Sequence, residues 1–322
     1  MTSLRAFMDH NFRHFNSRET LEAAQAYDSH INDGGKMLVA MGGAMSTGRI
    51  GLTLARMIRE DKVHAISCTA ANMEEDIFNL IARPQYEMVR NYRDLTPEDE
   101  TEIANRHLYR VTDTAIPVAP MITVEELLTE LWEEAVEEEE PRFPWEFFYE
   151  LIREGKLEPH YAIDPAESWM LAACEKDIPV YSPGFEDSTL GNSYTALVIS
   201  EDLEDHYGVK PGTEQMQHLV EWYLENCGGK GVGFFQIGGG IAGDFAICAV
   251  PLIIEDLERP DTPLWTYFAQ IGDSTTSYGS YSGAVPNEKI TWHKLDASTP
   301  RYMINSDASI VAPLIFGYVL GD

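Results

Sequence analysis

The chain has 322 residues, 44% of them hydrophobic and 11% aromatic, which is enough apolar surface for a large packed domain and excludes a disordered chain. Lys and Arg total 23 against 53 Asp and Glu, and the formal net charge of −30 would repel a phosphate backbone, so nucleic-acid binding is not expected. Such acidity either keeps the protein soluble or attracts a cationic substrate, such as a polyamine, to an acidic cleft.

The sequence contains no segment that predicts membrane insertion or export. The longest apolar stretches, Ile247 to Ile254 and Ile310 to Leu320, are about half the length of a bilayer span. The N-terminus has no basic segment that leads into an apolar run and a cleavage site, so we expect a cytoplasmic protein. The cysteines form no CxxC pair and are interpreted as buried thiols: Cys68, Cys174, Cys227 and Cys248.

The chain begins with an N-terminal helical segment, predicted over residues 1–35. Its apolar residues Leu21, Ala24 and Tyr27 have helical spacing, and the Gly34-Gly35 pair is a helix stop. Residues 36–322 are expected to form a single α/β domain.

Two successive strand-loop-helix units predict the sheet. Lys36 to Met41 is a buried strand followed by a loop of small residues, Gly42 to Gly48, and a helical pattern. Val63 to Thr69 is the next strand, and Glu74 to Asp76 would place carboxylates in the first turn of its helix, where they suit the helix dipole. With further strands expected at 178–181, 232–237 and 264–270, the pattern predicts a Rossmann-like, doubly wound, mostly parallel sheet with flanking helices.

An acidic amphipathic stretch runs from Val124 to Trp145. We interpret it as a helix that exposes its charged face to solvent and ends at Pro141. It would belong to a helical insertion at about residues 120–160, and we assign it no chemistry.

Two small-residue loops could bind a dinucleotide. Gly238-Gly239-Gly240 and Gly243 form a GxGxxG match directly after a predicted strand, and only glycine lets the backbone crowd a pyrophosphate. A merely tight turn explains the match equally well, and the acidic residues that could bind a ribose do not distinguish themselves: Asp256, Glu258 and Asp261.

The loop after the first strand offers polar groups to the same kind of ligand. The hydroxyls of Ser46 and Thr47, with nearby backbone N–H groups, could meet a phosphate or ribose, and Glu75 could bind ribose hydroxyls. The alternative interpretation is a close-packed turn.

A third candidate site ends at Lys294. A lone lysine is usually a solvated surface group, but Lys294 follows a Gly- and Ser-rich loop, Trp292 and Glu288. Partial burial would lower the pKa of the lysine and yield the neutral amine that can attack an imine. A cationic substrate could stack on Trp292 while Glu288 pairs with its ammonium.

A metal site is not expected. His10 and His14 have the i, i+4 spacing of a helical metal pair, but neither has an obvious third ligand nearby and no HEXXH motif is present. Packing or surface histidines are the simpler interpretation.

Taken together and in order, these segments resemble the deoxyhypusine synthase family, in particular its bacterial deoxyhypusine synthase-like branch. The similarity extends from about Lys36 to Ser309. It rests on six segments: Cys68 to Asp76, Ser182 to Asn192, Gly238 to Gly240, Ser280 to Gly283, Glu288 to Lys294 and Ser306 to Ser309.

The resemblance implies an NAD-dependent transferase of alkyl groups that takes an aminobutyl group from spermidine and carries it as an imine of Lys294 to an acceptor amine. It also implies a Rossmann-like homotetramer with sites at a dimer interface. The polyamine would contact Glu288 and Trp292. The implied NAD contacts are Ser46, Thr47, Gly48, Glu75, Asp187, Gly238, Gly239, Gly240 and Asp307.

The chain departs from the family pattern at several implied site positions. Asp244 stands where the family has the histidine assigned to proton transfer, and Cys248 replaces an asparagine. Tyr278, Tyr281 and Asn192 stand where the family has acids that bind the amine, so the resemblance implies that these three residues also contact the substrate. The amine donor and acceptor are therefore open, and the alternatives are a homospermidine-forming enzyme, an amine or agmatine hydrolase, and a non-catalytic protein that binds NAD or polyamine.

Overall fold

A six-stranded parallel sheet forms the centre of the molecule. The structure, a computed structural model, describes residues 3–274 and 284–322, so the predicted site residues Tyr278 and Tyr281 lie outside the described part. Numbered in chain order, the strands of this sheet are β1 (Lys36–Met41), β2 (Ala65–Cys68), β6 (Val180–Tyr181), β7 (Val232–Ile237), β8 (Tyr267–Gly272) and β9 (Arg301–Asn305).

The strand order is β6-β2-β1-β7-β8-β9, and every pairing in this sheet is parallel. The chain winds outward from β1 in one direction and then from β7 in the other, which is the doubly wound arrangement. The predicted fold class is confirmed. The strand β9 was not predicted.

A second, smaller sheet was also not predicted. It is antiparallel, in the order β3-β5-β4, with β3 (Glu87–Met88), β4 (Leu108–Val111) and β5 (Thr114–Pro117). Two-residue hairpins are usually signalled by Asn-Gly or Asp-Gly. Here the turn is Thr112-Asp113, with Thr112 in the left-handed region at φ 53°, so the usual sequence signal is missing.

Helices connect the strands. They are α1 (Leu4–Asn11), α2 (Phe15–Asn32), α3 (Gly51–Arg59), α4 (Ala70–Ala82), α5 (Pro97–Asn105), α6 (Ala119–Glu137), α7 (Pro144–Arg153), α8 (Trp169–Lys176), α9 (Thr189–Ile199), α10 (Gly212–Asn226), α11 (Ile241–Ile247), α12 (Ala249–Pro251), α13 (Glu288–Thr291) and α14 (Ala308–Leu320). A π-helical turn, Leu252–Asp256, follows α12. None of the helices in the described part is long and apolar enough to cross a bilayer.

The N-terminal segment contains two helices rather than one. His10 lies in α1 and His14 directly precedes α2, so these histidines do not share a helix face as their spacing suggested. Tyr27 of α2 packs against Phe235 and Tyr267 of the sheet, with ring centroids 5.6 and 5.8 Å apart. The segment therefore covers the sheet.

Side chains alternate between the two faces of the sheet. Phe235 faces α2 and α14, whereas its neighbour Phe234 faces the opposite side, where Trp265 lies 4.9 Å from it and Tyr223 of α10 lies 4.7 Å from Trp265. Phe268 stacks beside Phe234. We call this second side, marked by Phe234 and Phe268, the α11 face, because α11 also packs on it.

The acidic stretch forms α6, which begins at Ala119 and ends at Glu137, earlier than the predicted end at Pro141. Leu128, Leu131 and Trp132 are buried against other helices, α4, α7 and α9, while most of the glutamates are exposed. The predicted solvated helix face is confirmed. That residues 120–160 are an insertion stays a prediction.

Candidate functional site

The loops predicted to bind a dinucleotide lie at one edge of the sheet, because the carboxyl ends of parallel strands share an edge. The order of strands reverses between β1 and β7, and the loops after these two strands touch. A Cβ atom added to Gly42 would lie 2.6 Å from the carbonyl oxygen of Gly239, so a side chain at Gly42 would force the loops apart.

Buried side chains fix the conformation of the triple-glycine loop after β7. Gly238 and Gly240 have φ angles of 75° and 96°, which glycine adopts without strain. Gln236 and Gln270 both donate side-chain hydrogen bonds to the Gly238 carbonyl oxygen, at 3.1 and 3.2 Å. The two buried glutamines, which sequence reasoning missed, fix the path of this glycine loop.

Ser46 is engaged within the protein. Its hydroxyl donates to the carbonyl oxygen of Asn72 at 2.7 Å and accepts from Nε1 of Trp169 at 2.9 Å. Its backbone N–H donates to the side-chain oxygen of Asn72 at 2.9 Å. With 1% of its surface exposed, Ser46 holds the loop onto α4, and its predicted contact with NAD stays a prediction.

Thr47 and Glu75 lie together beneath this loop. The N–H of Thr47 donates to the Glu75 carboxylate at 3.1 Å, so this N–H is not available to a phosphate. Burial raises the pKa of Glu75 to about 7, although the Thr47 hydrogen bond opposes the shift. The hydroxyl of Thr47 is buried and has no partner in the described part of the chain. In the same turn, the N–H of Gly48 donates to the carbonyl oxygen of Ala44 at 3.3 Å.

The three consecutive carboxylates of α4 are not in its first turn, as predicted, but in the next one, where they are buried. The reason is that α4 begins at Ala70, directly after Thr69. The carboxylates bind other segments instead of their own helix terminus. Glu74 accepts from the N–H groups of Thr189 and Leu190, at 3.0 and 2.9 Å, at the start of α9.

Asp76 has the corresponding role for α8. It accepts from the N–H of Met170 at 3.0 Å and from the hydroxyl of Ser168 at 2.6 Å. Burial raises its pKa to about 6, and these hydrogen bonds oppose the shift. Together with Glu74 and Glu75, Asp76 ties three separate segments to one turn of α4.

The remaining predicted contacts at this edge are more dispersed. Asp187 and Asp307 follow the two outermost strands, β6 and β9, so they lie at opposite ends of the edge. Asp307 caps α14 by accepting from the N–H of Ser309 at 2.8 Å. The amide of Asn192 donates to the carbonyl oxygen of Ser188 at 2.6 Å, which leaves its own oxygen open.

Lys294 lies at the amino end of β8, where its carbonyl oxygen accepts from the N–H of Trp265 at 3.2 Å. Its ammonium is 5.9 Å from the centre of the Trp292 ring. Trp292 is 68% exposed and Glu288 is exposed as well. The predicted aromatic and acidic neighbours therefore face the surface beside the lysine.

The strongly buried lysine of this segment is Lys289, which sequence reasoning missed. It is 9% exposed, and its ammonium lies 5.0 Å from the ring centre of Phe268 on the α11 face. Burial lowers the pKa of Lys289, as does the charge of Lys294, against the opposing effect of Asp244. This burial was not predicted because lysines are almost always exposed.

Asp244 lies close enough to this cluster for its charge to act on Lys289. It is in the first turn of the seven-residue helix α11, and its N–H donates to the Gly240 carbonyl oxygen at 2.9 Å. Phe268 and Gln270 are two residues apart on β8 and so share a face, roughly 7 Å apart. The α11 face thus carries the glycine loop, Asp244 and Lys289.

Comparisons of the sequence with known proteins place the chain in one family. The family model described as "Deoxyhypusine synthase" matches residues 7–319. A "Probable deoxyhypusine synthase 1" from Archaeoglobus fulgidus is 23% identical over 95% of this chain and 90% of its own length. A "Deoxyhypusine synthase-like protein" from Cyanothece is 24% identical over 97% of this chain and 78% of its own length.

A solved structure shares the fold. The crystal structure of a candidate deoxyhypusine synthase from Entamoeba histolytica has a TM-score of 0.59 and 13% identity, and the match covers 99% of this chain and 91% of that one. At this identity the match supports the architecture and leaves the chemistry to the residues of the site.

Proposed function

We infer the function of this chain from the premise that it belongs to the deoxyhypusine synthase family. We propose an NAD-dependent transferase that moves an aminobutyl or related aminoalkyl group from a polyamine, such as spermidine, to an acceptor amine. Lys294 would carry the group as an imine. The observation that supports this most is on the α11 face, where Lys289 of the Lys294 segment lies over Phe268 and the charge of Asp244 raises the pKa of Lys289.

The NAD site would lie where the loops after β1 and β7 meet. Its fit rests on open space beside the backbone: a Cβ added to Gly43 would meet no atom within 4 Å, and Gly238 and Gly240 have positive φ angles. Thr47 adds a buried hydroxyl without a partner among the described residues. When bound, NAD would take a hydride from the carbon beside a donor amine and later return it.

The chain's own residues would then carry the group. The Lys294 amine adds to the oxidised C=N carbon of the donor and gives up a proton, and the bond to the leaving diamine breaks as that amine takes one up. The acceptor amine adds to the resulting Lys294 imine and displaces the lysine. Asp244 would accept and return protons, as a positioned carboxylate can, and Trp292 would hold a cationic chain against its ring.

We also propose a homotetramer with sites at a dimer interface, and a cytoplasmic location. Trp292 beside Lys294 and Ile241 beside the glycine loop are 68% and 47% exposed, which leaves room for a second copy next to the site. Light scattering would give four times the chain mass of 36.2 kDa for a tetramer. A monomer mass at micromolar concentration would contradict the proposal.

Borohydride trapping tests the lysine imine. The protein is incubated with NAD and, separately, with spermidine, putrescine or agmatine, then reduced and weighed as an intact chain. We expect a mass gain that matches the transferred group, that maps to Lys294 by peptide sequencing, and that is lost in Lys294→Ala. Lys176→Ala is the control, since Lys176 is exposed and ends α8 beside β6, at the opposite edge of the sheet from β8 and β9.

The outcomes separate the candidate activities. An adduct that forms on wild type and on Lys176→Ala but not on Lys294→Ala supports transfer through Lys294. Product release without an acceptor and without an adduct would indicate a hydrolase. Absence of any adduct or product, with NAD binding confirmed by fluorescence, would contradict catalysis and favour a binding protein.

A further inference from the structure

Two glutamines lie side by side on the α11 face of the sheet, near the ends of the neighbouring strands β7 and β8. Gln236 and Gln270 are direct partners in the register of the two strands, and they are 4% and 2% exposed. The preceding pair on the same face is Phe234 and Phe268. An apolar pair would avoid the cost of burying two carboxamides, so we expect the glutamines to do more than fill the core.

Both carboxamides act on one peptide group. Nε2 of Gln236 and Nε2 of Gln270 donate to the carbonyl oxygen of Gly238, at 3.1 and 3.2 Å. The N–H of Gly238 donates to the carbonyl oxygen of Ile271 at 2.7 Å. Because a carbonyl oxygen has two lone pairs, it accepts both glutamines at once. Either glutamine alone would still hold it.

The last glycine of the GxGxxG match makes room for this arrangement. Gly243 is buried in α11. A Cβ atom added to it would lie 2.6 Å from both the side-chain amide carbon and Nε2 of Gln236. A methyl group at this position would therefore displace the Gln236 carboxamide and break its hydrogen bond to Gly238.

The peptide groups that follow Gly238 are open to a ligand. The N–H groups of Gly239 and Gly240 have no acceptor in the described part of the chain, and both residues are partly exposed. Successive free N–H groups bind anions such as the phosphates of a dinucleotide. Their position depends on the Gly238 peptide, because the chain continues directly from it.

We propose that Gln236 and Gln270 are positioning residues that set the affinity of the glycine loop for a dinucleotide, each able to substitute for the other at the shared Gly238 carbonyl oxygen. This inference rests on the proposed NAD site. It requires no contact between either glutamine and the ligand. The loss of both glutamines should therefore weaken binding by more than the product of the two separate losses.

A double-mutant cycle on NAD affinity tests the proposal. Calorimetry with NAD and no amine donor gives the dissociation constant without turnover. Methionine keeps the length of the side chain and removes the donor, so Gln236→Met or Gln270→Met alone should weaken binding by no more than about 3-fold. The two substitutions together should weaken it by ~30- to 100-fold, because neither donor then remains.

Gln215→Met supplies the matched control. Gln215 is also buried, at 1% exposed, but its side-chain oxygen accepts from the N–H of Ser182 at 2.8 Å, so it shares no acceptor with Gln236. When Gln215→Met is combined with Gln236→Met, the two losses of NAD affinity should multiply. Melting curves establish that each variant is folded.

Gly243→Ala tests the same arrangement without removing a glutamine. In the Gln270→Met background it should weaken NAD binding as strongly as Gln236→Met does, because the added methyl displaces the remaining donor. In a Gln236→Ala background the added methyl has nothing to displace. There the substitution should change the affinity by less than about 2-fold.

The proposal is overturned if the double variant binds NAD as tightly as wild type, if its loss equals the product of the single losses, or if Gly243→Ala acts equally in both backgrounds. A purely structural role would lower the melting temperature and leave the NAD affinity of the folded protein unchanged. Wild type that binds no NAD would contradict the proposed function and with it this inference, whereas the other outcomes contradict the inference alone.

Discussion

The loop after β1 and the segment around Lys294 differ in where their polar groups find partners. The hydroxyl of Ser46 and the N–H of Thr47 are bound by side chains and backbone of the same chain. The side chain of Lys289, which is 9% exposed, forms no ion pair among the described residues, and the ring of Trp292 is 68% exposed. The polar groups of the loop after β1 have partners within the chain, whereas the segment around Lys294 presents groups that lack such partners among the described residues.

The two regions should therefore contribute to ligand binding in different ways. A loop whose groups are already satisfied contributes shape, because its backbone is fixed before any ligand arrives. A segment with unsatisfied groups contributes attraction, since a ligand or a second copy gains the missing interactions. Substitutions in the first region should therefore act mainly on stability, and substitutions in the second mainly on binding and rate.

The largest expected effect is on rate. Asp244 is exposed, so Asp244→Asn should leave the melting temperature nearly unchanged while group transfer slows by about 10²- to 10⁴-fold, the usual contribution of a general base. Product formation measured by mass spectrometry checks this. Asp33→Asn, at an exposed carboxylate in a loose ion pair, is the control. A rate within a factor of about three of wild type would remove Asp244 from proton transfer.

Ser46→Ala tests the loop after β1. It removes the hydroxyl that accepts from Nε1 of Trp169 and leaves that buried N–H without a partner. The free energy of unfolding should fall by about 1–3 kcal/mol, measured by urea denaturation. Ser200→Ala, at an exposed hydroxyl after α9, should change it by less than about 0.5 kcal/mol. Equal effects of the two substitutions would contradict the role of Ser46 in holding the loop.

Glu75→Gln should change the pH dependence of stability. Burial raises the pKa of Glu75 from 4.5 to about 7, so the native state binds this proton more tightly than the unfolded chain does. Stability is therefore lost as the pH rises from about 4.5 through about 7. In Glu75→Gln this part of the decline, roughly 1–3 kcal/mol, should disappear.

Urea midpoints at a series of pH values, taken as the difference between wild type and Glu75→Gln, isolate this effect from the general repulsion of an acidic chain. Glu98→Gln, at an exposed carboxylate in α5, serves as the control and should reproduce the wild-type profile. A difference between wild type and Glu75→Gln that does not vary with pH would contradict the raised pKa.

The smallest expected effect on stability is at Trp292. Because the ring is 68% exposed, Trp292→Ala should change the free energy of unfolding by no more than about 0.5 kcal/mol. Spermidine binding should nevertheless weaken by about 0.5–2 kcal/mol of binding free energy, because the ring that would face the cation is lost. Trp265→Ala, at a fully buried indole, should instead cost about 3–5 kcal/mol of stability. Unchanged spermidine affinity would exclude Trp292 from the amine site.

The sequence predicted the features that depend on local pattern. Lys36–Met41 and Val232–Ile237 are strands with the predicted bounds, because each is a continuous apolar run bounded by glycine or charge. Arg301–Asn305 was missed because, with an Arg at its start and an Asn at its end, it lacks such a run. The roles of Asn72, Gln236 and Lys289 were missed for a different reason. Burial of polar side chains depends on partners far away in the chain, which periodicity does not report.

The carboxylates of α4 have a consequence for how the molecule opens. Glu74, Glu75 and Asp76 hold the start of α9, the loop after β1 and the start of α8 respectively. Loss of this one helical turn would release all three segments at once. In hydrogen exchange, the amides of Leu190, Thr47 and Met170 should therefore share a single opening free energy and behave as one cooperative unit, although they are far apart in sequence.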